Sequence, residues 1–517
     1  MKRAALAFGV LATLFCLAVP ARAELTLDSV FGATPPWGAQ PSRITWAPDG
    51  QSFLYVLPTQ DPFAALAVHQ YDLRSQSDRI FIDPKAYSGR ATPGALVWSP
   101  DGKYLAFTIA GTLYVRDLST NLDRQIDRKV SDPQWSPRGN AIAYVKSADL
   151  YVASLAPGVA IRRLTRSGVE NQILNGALDW VYPEELSTAH GYAWAPDGQS
   201  IAYMQMDERP VTSFPILDFL ATDNAATPQK YPLAGENNPR VTLRLHQIAT
   251  GKDSLIYDAG KNDEYLPFFG WKPNSHELIA ELMDRGQTAL RVLDYASASE
   301  SVPRVLYRQS DPKWLDDVQL PTWLSDGGSV WVLDRDGTPG LYLRAANGAL
   351  TRLTGSYRAF SLLGVDPKSQ RAYVTAAYPT RRDRSLLAIP LSSGSPLNLT
   401  QAAGTHGVSV SLPGSAFVDT HSTLNDPPQT DVVSLSDGSV RTTLAARSAS
   451  LQADLLPVDM LSIDSPYGKL DAYMIKPLNF DKIRTTSPGH KFPVIVYVYG
   501  GPGAPTTANA FGEQRGL

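Results

Sequence analysis

Cysteine is almost absent from this 517-residue chain: Cys16 is the only one. It lies in the opening run MKRAALAFGVLATLFCLAVPARA, which has a basic start (Lys2, Arg3), an uncharged apolar middle and small residues at Ala21 and Ala23. That pattern reads as a secretory signal over residues 1–23 with an A-x-A cleavage site. Thr13, Leu14 and Phe15 before Cys16 do not resemble a lipidation site. Cleavage before Glu24 leaves no thiol, which excludes disulfides and a cysteine nucleophile. Histidine is scarce as well, seven residues with no H-x-x-x-H or H-E-x-x-H spacing, so a metal site has little support.

Long apolar runs are missing too. No segment after the signal offers 18 uncharged apolar residues, so no membrane anchor is expected. A strong charge of one sign is also lacking. The formal net charge is −3, and the signal carries three positive charges and no acids, so its loss makes the charge −6. Such a balance gives no reason to expect nucleic acid. The one basic knot, RRDRS at Arg381 to Ser385, reads as a solvated loop. The expected location is the periplasm or the medium.

What is present is a repeat. WAPDG begins at Trp46, WSPDG at Trp98, WSPRG at Trp135, WAPDG at Trp194 and WKPNS at Trp271, with weaker copies at Trp323 and Val365. Proline presets the first corner of a turn, and glycine tolerates the positive φ that can follow. Each copy precedes alternating β-branched and aromatic residues, as in KYLAFTIAG and QSIAYMQMD, which fit half-buried strands. The tryptophans read as packing between strands. Short strands and tight turns at this spacing predict an all-β propeller over residues 41–450, with loop insertions in some blades. At about 40–50 residues per blade, eight blades are expected, after an N-terminal segment over residues 24–40.

After Ser450 the repeat stops. VDMLSIDSPYGKLDAYMIKPLNF predicts two strands around Pro466, Tyr467 and Gly468, then a looser segment DKIRTTSPGH. Val494 to Tyr499 is a continuous apolar run, as in a strand buried on both faces of a parallel sheet, and Gly500-Gly501-Pro502-Gly503 would form a loop at its carboxyl edge. Residues 451–517 therefore read as the start of a second domain built on a parallel α/β sheet.

Read locally, Tyr182-Pro183-Glu184-Glu185-Leu186 is a helix start with proline first and acids in the first turn. The other reading is two carboxylates aimed at a cation. Tyr499, read locally, is either a tyrosine closing a core strand or a hydrogen-bond donor at a site.

The repeats followed by PVIVYVYGGPG resemble the prolyl oligopeptidase family of serine peptidases. DWVYPEEL, YPLAGENNPRVTLRL and DEYLPFFGWKPN resemble its dipeptidyl peptidase IV branch, particularly the bacterial members. The resemblance implies that residues 451–517 begin an α/β-hydrolase domain and that no metal or organic cofactor is needed. It also implies removal of N-terminal dipeptides, Xaa-Pro or Xaa-Ala, from peptides with a free N-terminus, and a possible homodimer. It implies that Glu184 and Glu185 bind the peptide's α-amine and that Tyr499 serves in the oxyanion hole. An amine held at the glutamates would place the scissile carbonyl two residues away, roughly 7 Å.

Two features depart from the family pattern. The family's arginine near the substrate carbonyl has only Arg116 to match it in YLAFTIAGTLYVRDL, and in an unconvincing place. No G-x-S-x-G occurs anywhere, so the Ser-Asp-His triad is expected beyond Leu517 and this chain alone is expected to be inactive. The alternative is a non-catalytic periplasmic propeller that acts as a binding scaffold. A third reading, an internally cutting oligopeptidase, fits the glutamate pair poorly, because two carboxylates disfavour a chain with no free amine.

Overall fold

The computed structural model describes residues 37–57, 65–87, 91–156, 158, 160–219, 222, 225–297, 302–316, 318–392, 394–447, 456–477, 479–500 and 507–512. The signal expected over 1–23 and Gly501, Pro502 and Gly503 lie outside them. Eight sheets built from successive strands follow one another over residues 42–82, 96–128, 131–163, 173–258, 264–310, 322–352, 359–398 and 405–445. They are the blades of the expected eight-bladed propeller.

The turn chemistry works as the repeat predicts. Gly50 donates its N–H to the Ala47 carbonyl at 2.9 Å and takes φ +66°, and Gly102 does the same to Ser99 with φ +69°. A residue with a Cβ is strained there. The second strands, such as Ser52–Leu57 and Tyr104–Ile109, are almost wholly buried, whereas the fourth strand Leu122–Arg128 is largely exposed. The core is accordingly a ring of clusters between blades. Leu54, Val56 and Val68 of the first blade pack with Leu105, Phe107 and Ile109 of the second. Phe53 and Tyr71 of the first blade pack with Val418 and Val432 of the eighth, which closes the ring.

The repeat tryptophans do more than pack. Trp98 donates its indole N–H to the Thr45 carbonyl (3.4 Å), Trp135 to Val97 (2.8 Å), Trp194 to Gln134 (3.2 Å) and Trp271 to Ala193 (3.2 Å). Each acceptor immediately precedes the tryptophan of the blade before. Trp46 completes the series by donating to Ser409 of the eighth blade at 3.1 Å.

Beyond the propeller, Val458–Ser465 pairs with Gly468–Ile475 as the expected hairpin. The segment expected to be loose contains a short helix, Phe480–Thr486, with no buried residue. Without an apolar stripe it left no periodic trace in the sequence. The buried strand expected at Val494–Tyr499 is not formed: the run has no ladder partner and its side chains are 62–98% exposed. A two-face strand needs neighbouring strands and covering helices, and no strand pairs with it among the described residues.

The basic knot is likewise not a free loop. Arg381 and Arg382 both grip Asp471 of the hairpin, at 2.5 and 2.6 Å, and Arg382 also reaches the Leu461 carbonyl at 3.2 Å. Among the described residues no helix is long and apolar enough to cross a membrane.

Candidate functional site

The fourth blade carries an interruption where the glutamates lie. Ile173–Asn175 and Tyr192–Trp194 both pair with Ser200–Asp207 in one continuous register, so together they are one first strand cut in two. The inserted stretch leaves and returns at one point. Gly176 donates to the Met204 carbonyl at 2.8 Å, and the Met204 N–H donates to Gly191 at 2.9 Å. A Cβ on Gly191 would sit 2.4 Å from the Gly176 carbonyl oxygen. Only glycine allows this narrow neck.

The insert holds the helix Val181–Glu185. Pro183 is its third residue, not its first as the local reading expected, and Glu184 and Glu185 end the helix. Proline is tolerated there because the first four helical N–H groups have no intrahelical partner. The start is set by Asp179, whose Oδ1 accepts the Tyr182 N–H at 3.1 Å. Val181, Tyr182 and Leu186 are buried in the cluster between the fourth and fifth blades. The Tyr182 hydroxyl accepts the Leu266 N–H at 3.1 Å, and Thr188 Oγ1 donates to the Pro267 carbonyl at 2.8 Å. With its apolar side pinned, the turn leaves Pro183, Glu184 and Glu185 exposed. Neither glutamate has a hydrogen bond or ion pair among the described residues.

Beside the helix start lies an open recess of about 360 Å³, lined in part by Glu170, Asp179, Trp180, Glu208 and Lys230. Glu208, which the sequence did not single out, is only 4% exposed and Asp179 8%. Burial pushes the Asp179 carboxyl up to about 6, partly offset by the backbone N–H groups it accepts. Burial, and then the Asp179 charge, push Glu208 up to about 7 against the pull of Lys230. Lys230 Nζ itself donates to the Val211 carbonyl at 2.6 Å. The region is rich in carboxylates and short of cations. The Trp180 ring packs at a tilt against Tyr231 (4.7 Å between centroids), which joins the helix to the base of the hairpin Ser213–Leu217/Ala226–Lys230.

Glu184 and Glu185 thus stand together on one fixed turn. Tyr499 is elsewhere, 62% exposed, with no hydrogen bond or ring contact to that turn among the described residues. Arg116 is occupied: it is buried, pairs with Asp123 at 2.7 Å and lies over the Phe81 and Phe107 rings. It is a blade-packing residue.

Residues 108–428 match the family model described as the dipeptidyl peptidase IV (DPP IV) N-terminal region. A probable dipeptidyl peptidase 4 of Arthroderma benhamiae is 26% identical over 373 residues, covering 68% of this chain and 47% of that protein. One from Aspergillus clavatus is 23% identical over 505 residues, covering 92% of this chain and 64% of that protein. The chain spans about half the length of most of these curated relatives. Among solved structures, Porphyromonas gingivalis dipeptidyl peptidase 4 superposes with a TM-score of 0.80 at 22% identity, over 94% of this chain and 70% of that one, a likeness of fold. The chain belongs to the dipeptidyl peptidase IV family, of which it carries the N-terminal propeller region.

Proposed function

We propose that this chain is the substrate-selecting part of an exported serine exopeptidase that releases N-terminal dipeptides, Xaa-Pro or Xaa-Ala, from peptides. The observation that carries the reading is the pair Glu184 and Glu185: two adjacent exposed carboxylates with no partner among the described residues, on a turn fixed by buried neighbours. Side by side they repel one another, and a protonated α-amine relieves that repulsion. Adjacent helical positions point in different directions, so the two approach one ammonium from two sides.

Tyr499 is proposed as the donor to the carbonyl oxygen as it gains charge, a role whose loss costs about 2.7–4 kcal/mol of barrier. The bare apolar run Val494–Tyr499 supports this, because such a run is at home only inside a covered sheet. We read it as a strand of an α/β-hydrolase fold whose remaining strands and triad are not in this chain.

The test is hydrolysis of an alanyl-prolyl anilide by the protein that contains this chain together with its hydrolase portion. Two charge-assisted hydrogen bonds are worth about 1.5–3 kcal/mol each. Glu184→Gln with Glu185→Gln should therefore lower kcat/KM by about 100-fold or more, and N-acetylation of the substrate should abolish turnover. Undiminished turnover by the double variant sinks the assignment. If the protein binds peptides regardless of their N-terminus and cleaves none, the scaffold reading replaces this one.

A further inference from the structure

The eighth blade holds a second cluster of chemically able side chains, unrelated to the glutamate turn. Its first three strands are Thr405–Ser411, Ala416–Ser422 and Gln429–Ser434. Their register sets His406 directly opposite His421, and Asp419 directly opposite Asp431. Asp419 and His421 are two apart on one strand and so share a face. All four residues are buried, at 1, 4, 8 and 2% exposure for His406, Asp419, His421 and Asp431.

Two acids opposite one another in a sheet repel, and no arginine or lysine is paired to either among the described residues. Asp431 accepts from Gln429 Nε2 at 2.9 Å and Thr443 Oγ1 at 2.6 Å. Asp419 is held by His406 Nδ1 at 2.8 Å. His421 is the anomaly: its Nδ1 is buried with no hydrogen-bond partner. It stands 3.5 Å from Asp419 Oδ2 and 3.8 Å from Asp431 Oδ2, too far for a hydrogen bond to either. A buried ring nitrogen facing two carboxylates without bonding them calls for something between them.

We propose that His406 Nδ1, His421 Nδ1 and an Asp419 oxygen, with Asp431 as the fourth group, hold one divalent transition-metal ion of the zinc(II) class. Metal–nitrogen and metal–oxygen bonds of about 2.0–2.2 Å in a tetrahedron separate the ligand atoms by roughly 3.3–3.6 Å. The His421 distance to Asp419 already falls there. The three principal donor atoms lie within 4.8 Å of one another. The 2.8 Å between His406 and Asp419 is a proton's spacing and must open by about half an ångström when the ion replaces that proton.

His406 is prepared for this exchange. Its Nε2 faces the Ala402 carbonyl at 3.0 Å, the outer-shell bond that keeps the other ring nitrogen for the metal. Two imidazoles favour zinc, cobalt or nickel over calcium or magnesium. Two carboxylates and a dication sum to no net charge, and loading expels one proton, from His406, to solvent. A pocket of about 530 Å³ reaches all four residues and provides the way in.

The consequence is structural. The ligands lie on three strands of the blade that closes the ring. Ser409, on the first of those strands, takes the Trp46 indole, and Thr430, on the third, donates to Gln40 Oε1 at 2.9 Å. A bound ion would clamp the closing blade.

The test is to strip the chain with a chelator and titrate it with cobalt(II), then zinc(II). The expected result is tetrahedral cobalt bands in visible light that saturate at one equivalent, bleach with one equivalent of zinc and accompany a higher melting midpoint. Asp419→Asn and His421→Ala should each weaken zinc binding at least about tenfold, while His190→Ala, in the fourth blade, should leave it unchanged. No cobalt bands in the unaltered chain overturn the proposal, whatever the variants do. Cobalt bands that keep the unaltered affinity in a folded Asp419→Asn or His421→Ala chain overturn it as well.

Discussion

The indole N–H of Trp135 donates to the carbonyl of Val97, 2.8 Å away, one residue before the tryptophan of the preceding blade. The same relation recurs at Trp98, Trp194 and Trp271, so the repeat is stitched from blade to blade by a bond that needs one particular side chain. Trp135→Phe keeps the ring and loses the bond, while the Val97 carbonyl keeps its place in the ladder with Ala106. The expected cost is that of one hydrogen bond, about 0.5–1.5 kcal/mol, read from urea denaturation. Trp323, whose indole makes no hydrogen bond among the described residues, should cost less as Trp323→Phe. Equal losses at the two positions would contradict the stitching role.

The buried acids beside the glutamate turn predict a pH dependence. Asp179 is pushed up to about 6 and Glu208 to about 7, both above the value of roughly 4 for an unfolded carboxyl. A raised acid pKa means that the folded state keeps its proton longer. Stability from these groups is therefore complete below pH ~4 and is lost as pH rises through ~6–7. Glu208→Gln should remove part of that loss. The variant should gain roughly 1–3 kcal/mol on the unaltered chain between pH 5 and pH 8, measured as urea midpoints. Parallel pH profiles for the two chains would rule this out.

The hairpin Val458–Ile475 is tied to the seventh blade by Arg381 and Arg382 on Asp471. Burial opposes the Asp471 charge, but the two guanidinium groups hold its carboxyl below the usual range. Asp471→Ala should ease local opening by about 1–2 kcal/mol, making proteolysis within the hairpin roughly 5–30-fold faster while the propeller stays resistant. Cleavage at the original rate would mean that other contacts, such as Asn425 with Val458 at 2.8 Å, hold it alone.

How far each feature could be read in advance follows from the range of the interaction behind it. The Trp-x-Pro-Asp-Gly turns and the strands after them are local, so blade number was legible from WAPDG, WSPDG and their copies. Pro466-Tyr467-Gly468 announced its hairpin for the same reason. The helix at Glu184 was legible as a helix, but its boundaries were not. Its start is set by Asp179 and its anchoring by Tyr182 and Leu266, which are far apart in the chain. Val494–Tyr499 misled because an apolar β-branched run reports what a strand needs and not whether its neighbours are there. Arg381 and Arg382 looked solvated because their partner, Asp471, is distant in sequence.

The sequence by itself determined the repeat, the turn chemistry and the pairing of Glu184 with Glu185, because each depends on residues within a few positions of one another. Only the tertiary structure decided which groups meet across strands and blades. It split the first strand of the fourth blade so that the glutamate turn stands on a glycine neck. It buried Glu208 beside Asp179, and it set His406 against His421 with two carboxylates between the strands. Those meetings arise from strand register and ring closure, where one residue of slip would turn every side chain to the opposite face.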